Sequence, residues 1–319
     1  MCQLHQKSVV RSVSRRRLVY AAALICLAWG TPAHSQAVLK WKFEKGQVTQ
    51  YRFSHHSVTR VMSRGQEFLQ DYLMAVDFTW TALETRPDGG FLLSQSIDRV
   101  KVDIKGGATP LEFDSATDLA QGEGANALKE LYSKVIKMPC ELVLASNGAI
   151  SDVRVPQSVT EFVRSTPVAA IVDGGSFFSA EGIKNMLAQV IPVLPTGSSA
   201  PGASWSTTLE PVRGPILQMK LVHDWSWVEG DHGNALIKSS IKTEVAAARG
   251  VQLDVVLDSQ EARSQADFDF QSGRLESSKV EQDLAMTFGT AEREVKQRVE
   301  IQTGLTHLPD PPAFIEPRD

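Results

Sequence analysis

Cysteine is nearly absent from this chain of 319 residues: there are three, and Cys2 and Cys26 both lie in a cationic and apolar leader. Cys140 therefore stands alone in the body, where no internal disulfide can form and core packing must hold the fold. The metal-ligand spacings His-x-x-x-His and Cys-x-x-Cys do not occur, and neither does Gly-x-Ser-x-Gly. No motif for zinc chemistry or for a nucleophile elbow is left. After residue 29 no apolar run approaches membrane-spanning length. Positive charge is also scarce outside the leader. Five of the 33 basic residues and none of the 37 acidic ones fall in residues 1–35, leaving 28 against 37, a net of −9, for the rest. A surface of that sign disfavours nucleic-acid backbones and anionic lipid.

What the leader contains is a secretory signal. Lys7, Arg11 and Arg15-Arg16-Arg17 precede an apolar stretch over residues 18–29, then Thr31-Pro32-Ala33-His34-Ser35, with Ala33 and Ser35 where a peptidase reads small residues. A helix of about 12 residues rises about 18 Å, short of a hydrocarbon core of about 30 Å. Cleavage near Gln36 is expected rather than anchoring, giving a periplasmic or extracellular protein that is not integral to the membrane. Ile25 stands where a lipoprotein needs a small residue before Cys26. Ser14-Arg15-Arg16-Arg17-Leu18-Val19 resembles a twin-arginine signal, which leaves the export route open.

Period-two alternation dominates the body. Leu39, Trp41 and Phe43 alternate with charged residues and predict a strand. Further strands are expected over residues 51–61, 68–83 and 91–104, turning at Ser63-Arg64-Gly65-Gln66 and Arg86-Pro87-Asp88-Gly89-Gly90. Ala127, Leu128, Leu131 and Val135 switch to helical spacing. Residues 142–155 read as a hairpin because Asn147-Gly148 is a strong two-residue turn. Helices are expected over residues 157–165 and 179–190, the second capped by Ser179. Residues 192–203, rich in proline, glycine and serine, read as a linker. Strands resume over residues 204–209, 217–228, 235–245, 251–256, 266–270, 275–288 and 293–302, before a proline-rich tail.

The two halves echo each other. A hairpin over residues 76–97 matches one over residues 222–241 in texture, and residues 141–155 parallel residues 267–280, turning at Ser272-Gly273. The order hairpin, excursion, hairpin suggests two similar tandem units. Generic amphipathic hairpins give the same texture, so matched strand order is the test.

Candidate chemistry is sparse. His55 and His56 are adjacent and point to opposite faces of a strand, and His34, His223, His232 and His307 stand apart, so no metal site is expected. Asp103, Asp114, Asp152 and Asp283 show no pairing that would mark a glycosidase. Asp173-Gly174-Gly175-Ser176 reads as a flexible loop, and Cys140, heading an alternating run, as a small buried thiol. Trp80, Trp205, Trp225, Trp227, Phe53, Tyr72, Phe78 and Phe91 lie at alternating positions. They make either a sheet core or, on a concave face, the wall of a site for an apolar ligand.

Four stretches carry a resemblance: Leu39-Lys40-Trp41-Lys42-Phe43-Glu44-Lys45-Gly46, Gln95-Ser96-Ile97-Asp98-Arg99-Val100, Leu144-Ala145-Ser146-Asn147-Gly148-Ala149-Ile150-Ser151-Asp152-Val153 and Phe178-Ser179-Ala180-Glu181-Gly182-Ile183. With them the chain resembles an uncharacterised family of secreted, planctomycete-type bacterial proteins, a domain of unknown function. The resemblance implies an exported β-rich protein and assigns no site. Long strands followed by helices also resemble, more weakly, the open half-barrels of bacterial lipoprotein carriers.

The expected architecture is mainly β: long antiparallel strands in curved sheet with a few short helices. Residues 1–35 form the signal, 36–165 an N-terminal β unit, 166–203 a helix and linker, 204–307 a C-terminal β unit and 308–319 the tail. The expected function is an exported, non-catalytic envelope binding protein, without cofactor, for an apolar ligand or envelope protein. A structural or assembly component is the alternative, and a hydrolase assembled only in three dimensions is a third.

Overall fold

The computed structural model describes residues 36–107, 110–117, 119–122, 124–165, 179–213, 217–231, 233–290 and 293–309. The leader with His34, the loop Asp173-Gly174-Gly175-Ser176, His232 and residues 310–319 lie outside the described residues. The described residues form one compact unit.

Alternation produces long strands: β2 (Val48–Ser63), β3 (Gln66–Thr85) and β4 (Phe91–Gly106) make the expected meander. Inward residues Tyr51, Val76, Phe78, Trp80 and Leu93 are buried while their neighbours face water. Near Asp98 the β3–β4 register shifts by one residue. Inward positions change there from odd to even, and the outer edge of β4 changes partner. Phe91–Ser96 pairs with β7 (Pro139–Leu144), and Lys101–Ile104 pairs with β5 (Leu111–Asp114). β6 (Leu119–Gly122) follows β5, and α1 (Ala125–Val135) returns the chain to β7, packing Tyr132 on Phe113 at 5.3 Å. β8 (Ile150–Arg154) completes the hairpin turning at Asn147-Gly148.

α2 (Gln157–Ser165) and α3 (Ala180–Val190) stand where helical spacing predicted them. Ser179 caps α3, its Oγ accepting the Gly182 amide at 2.9 Å. β1 (Ala37–Val38) pairs with β9 (Ser198–Ser199), so the proline-rich stretch is tied down rather than slack. The second half is an uninterrupted meander: β10 (Ser204–Arg213), β11 (Leu217–Asp231), β12 (Asn234–Ala247), β13 (Asp254–Asp269), β14 (Arg274–Thr290) and β15 (Arg293–Leu308). There the two paralleled hairpins follow one another directly, whereas β5, β6 and α1 separate them in the first half.

β15 pairs antiparallel with β2 from Val295–Ser63 to Leu308–Gln50, joining both halves into one 13-stranded sheet. The sheet curls around α3, which packs against β8 near one edge, β10 at the other, and β14 and β15 between them. Ser278 Oγ of β14 donates to the Val190 carbonyl of α3.

Two expectations change. Residues 39–44 alternate in burial as predicted but form no ladder strand. They bridge the β7–β8 and β13–β14 turns, with the Trp41 amide on the Ser146 carbonyl at 2.8 Å and the Lys42 amide on the Gly273 carbonyl at 3.0 Å. The strands expected over residues 251–256 and 266–270 are one strand, β13. Its polar middle, which read as a break, is held by an unbroken partner in β14 across a single bulge near Asp258.

Candidate functional site

The aromatic residues prove to be core. Trp41 stacks on Phe43 at 5.9 Å and meets Trp80 and Phe268 at 6.1 and 5.7 Å, while Tyr51 packs on Trp80 at 5.2 Å. Phe53, Phe78, Phe91, Trp225 and Trp227 are buried, and Trp205 and Tyr72 pack half-buried against the same core. These aromatics pack on one another and on the rest of the buried core.

The scattered titratable groups remain scattered. Each of the four aspartates named above lies on a basic group: Asp103 on Lys105, Asp114 on Arg99, Asp152 on Arg154 and Asp283 on Arg298. Its hydrogen bond from Arg99 holds the Asp114 carboxyl below its ordinary range. Among the described residues no group of three His, Cys, Asp or Glu side chains is placed to hold a metal. His55 meets Thr303 at 3.1 Å and His56 meets Asp71 at 2.9 Å, on opposite faces. His307 lies 3.4 Å from Glu276.

One contact has the composition of a catalytic pair: His223 Nδ1 lies 3.2 Å from Ser239 Oγ. Its polarity is wrong for activating the serine. Ser239 Oγ donates its proton to the Ser240 carbonyl at 2.9 Å, so the imidazole is the donor to Oγ. His223 stacks flat on Trp225 at 4.8 Å, and Asp224 points away to Ser206. Burial pushes the imidazole down to about 4, making it a poor base. Burial likewise drives the Tyr51 and Tyr132 phenols up and the Cys140 thiol to about 11.

Beside Cys140 lies a crevice of about 40 Å³. Its floor is Val76 and Ile97 of the sheet, and its roof is Val159 of α2 with Ile183 and Met186 of α3. Gln95, the one amide in it, already accepts the Trp80 indole N–H at 2.8 Å, so the wall is chemically apolar.

The opposite, solvent-facing side of the sheet carries a broad trough of about 1020 Å³ across β12, β13, β14, β15, β2 and β3. Its lining residues belong mainly to the outward alternation and include Ser54, Ala75, Lys238, Gln265, Lys279 and Gly304. Sequence reading missed it because these residues are ordinary one at a time and are brought into line only by strand register. Toward the β2–β3 turn, Met62, Phe68 and Leu69 are 43%, 55% and 49% exposed.

No protein-family model and no curated protein sequence matches the chain. Among solved structures it is similar to lipovitellin with its lipid–protein interactions, at a TM-score of 0.44 and 13% identity over 84% of this chain and 25% of that one. The chain thus spans about a quarter of the lipovitellin chain. It is also similar to OpdL of Pseudomonas aeruginosa, with a TM-score of 0.21, 8% identity and coverage of 82% and 99%. The translocator domain of the autotransporter NalP from Neisseria meningitidis gives a TM-score of 0.19 and 6% identity, covering 91% and 95%. At these scores the likeness assigns neither activity nor ligand.

Proposed function

We propose that the chain is an exported, non-catalytic binding protein of the cell envelope that takes an apolar group, from a ligand or a protein partner, beneath its helices. The observation that carries this reading is the crevice beside Cys140, apolar but for the Gln95 amide and roofed by α2 and α3. Its present volume of about 40 Å³ is far below the roughly 300 Å³ at which ligand pockets begin. Entry therefore requires the roof to lift, and Met138 and Met186 are the adaptable side chains that re-pack around what enters. No helix among the described residues is long and apolar enough to cross a membrane.

Native mass spectrometry of the exported protein, before and after lipid extraction, tests the ligand form of this reading. A co-purifying apolar mass is expected, and Met186→Trp, which fills the crevice, should lose it. A protein that carries no such mass, or a variant that keeps it, refutes an apolar ligand at this place.

A structural or assembly role in the envelope is favoured by a different observation, the apolar tip of the β2–β3 hairpin. Phe68 faces one side of the ribbon and Met62 and Leu69 the other, so a single buried face does not account for them. Crosslinking in intact cells decides: a product dependent on Phe68 and Leu69 supports assembly, and a chain that stays monomeric argues against it.

A further inference from the structure

Strand register places one row of outward residues straight across the trough: Lys238, Gln265, Lys279, Gly304, Ser54 and Ala75, one from each of six neighbouring strands. The rows on either side hold ion pairs and large side chains, such as Arg263 with Glu281 and Arg52 with Asp77. The middle row contains two lysines and no carboxylate. Gly304, Ser54 and Ala75, side by side on β15, β2 and β3, are small, which is what makes the trough. Gly304 keeps it open: a Cβ there would lie 3.0 Å from Ser54 Oγ and cover that hydroxyl.

We propose that this trough binds a linear acidic oligosaccharide, its carboxylates on Lys238 and Lys279 and its hydroxyls on the floor. Charge complementarity selects an anion. Across the lining, Lys238, Lys279 and Arg263 outweigh Glu281 and Asp267, on a body whose net charge from residue 36 onward is −9. Asp267 already accepts Ser277 Oγ, and Glu281 is shared by Lys279 and Arg263, so Lys238 supplies the surplus.

The floor selects the rest of the ligand. Its strands spend their backbone groups on one another, so a peptide laid across them has no ladder to join. Beside the apolar Leu73 and Ala75, the floor offers the Ser54 and Thr306 hydroxyls and the Gln265 and Gln302 amides, each both donor and acceptor, which suit a polyhydroxylated chain whose C–H faces lie on the apolar part. Among the described residues no tryptophan, tyrosine or phenylalanine lines it. Five interstrand steps of about 4.8 Å give roughly 24 Å, room for about four or five sugar units. This site is separate from the crevice, and the inference goes beyond the apolar-ligand reading.

The test is a calorimetric titration of the whole exported protein with hexagalacturonate, maltohexaose and hexaglutamate. Hexagalacturonate is expected to bind, more weakly at higher salt and about tenfold more weakly in Lys238→Ala/Lys279→Ala, with Lys40→Ala unchanged. Ala75→Tyr, which blocks the floor, should abolish binding while its melting curve stays native. Met186→Trp should leave it intact, so failure here and failure of the crevice reading are told apart. No binding of hexagalacturonate, equal binding of maltohexaose, or indifference to the lysine pair overturns the proposal. Equal binding of hexaglutamate overturns the sugar class and assigns the trough to acidic peptides.

Discussion

Gly148 sits against Trp41 at φ +90°, where an added Cβ would lie 2.9 Å from the indole Nε1 and 2.7 Å from the Pro192 carbonyl oxygen. The hairpin turn, the first buried tryptophan and the segment after α3 thus meet at one backbone position that has no room for a side chain. Gly148→Ala combines a left-handed backbone with a clash against the Pro192 carbonyl and the buried Trp41 indole, and should destabilise the fold by about 2 kcal/mol or more. Gly46→Ala is the control. Its φ is +83° but nothing lies within 4 Å of the added Cβ, so only the backbone cost of about 1 kcal/mol is expected. Urea denaturation of both variants checks the difference, and equal losses would show that the contact with Trp41 is unimportant.

Trp80 and Gln95 form a buried pair, indole N–H to amide oxygen at 2.8 Å, facing each other across β3 and β4. Trp80→Phe strands the amide oxygen in a dry core and should cost about 3 kcal/mol, part cavity and part unsatisfied acceptor. Gln95→Leu alone strands the indole N–H. Together the two changes remove both polar partners, so the double variant should be at least about 1 kcal/mol more stable than the sum of the single effects implies. A double-mutant cycle in denaturant measures this, and strict additivity would deny the coupling.

How much of this was legible before folding depends on the range of the interaction. The meander, the Asn147-Gly148 hairpin and the Ser179 cap follow from neighbours in sequence, and they stand where alternation, turn chemistry and capping place them. The candidate aromatics are ambiguous in sequence because both readings require the same alternation, and long-range contacts such as Trp41 on Phe268 place them in the core. The β15–β2 ladder joins residues about 250 apart, beyond any local pattern. The bulge near Asp98 is equally hidden. It is stabilised from outside the hairpin by Lys137, whose Nζ lies 2.5 Å from Asp98 Oδ1 and whose amide bonds the Ile97 carbonyl. The trough is the extreme case: Gly304, Ser54 and Ala75 are unremarkable small residues until two separate registers align them.

Burial of His223 ties stability to pH. Its pKa falls from 6.5 to about 4 on folding, so between those values the unfolded chain holds more protons than the folded one. Stability from this group is therefore fully present above about pH 6.5, declines as pH falls toward 4, and declines no further below it. The loss is at most about 3 kcal/mol. His223→Phe keeps a ring on Trp225 and removes the titration. Thermal melts at pH 7, 5.5 and 4.5 should show the native chain losing ground to this variant as pH falls. Parallel curves would mean that His223 is protonated in the fold or freely hydrated.

Cys140 reports on the roof of the crevice. Burial raises its pKa to about 11, so thiolate is scarce at pH 8, and the closed roof also bars the reagent. In the chain from residue 36 onward it is the sole thiol, which makes the measurement unambiguous. Alkylation by iodoacetamide at pH 8 should be at least about a hundredfold slower than for an unfolded control, with one thiol labelled in urea. Because α2 and α3 bound the crevice while β7 carries Cys140, residual labelling measures local lifting of the helices rather than global unfolding. Its rate should then resist mild urea, which opens the whole sheet only at higher concentration. A ligand seated under the helices should slow it further, and Met186→Trp, by filling the space, should slow it without ligand. Labelling at the rate of a free thiol in native buffer would mean that the crevice stands open, and the binding reading would have to abandon a lifting roof.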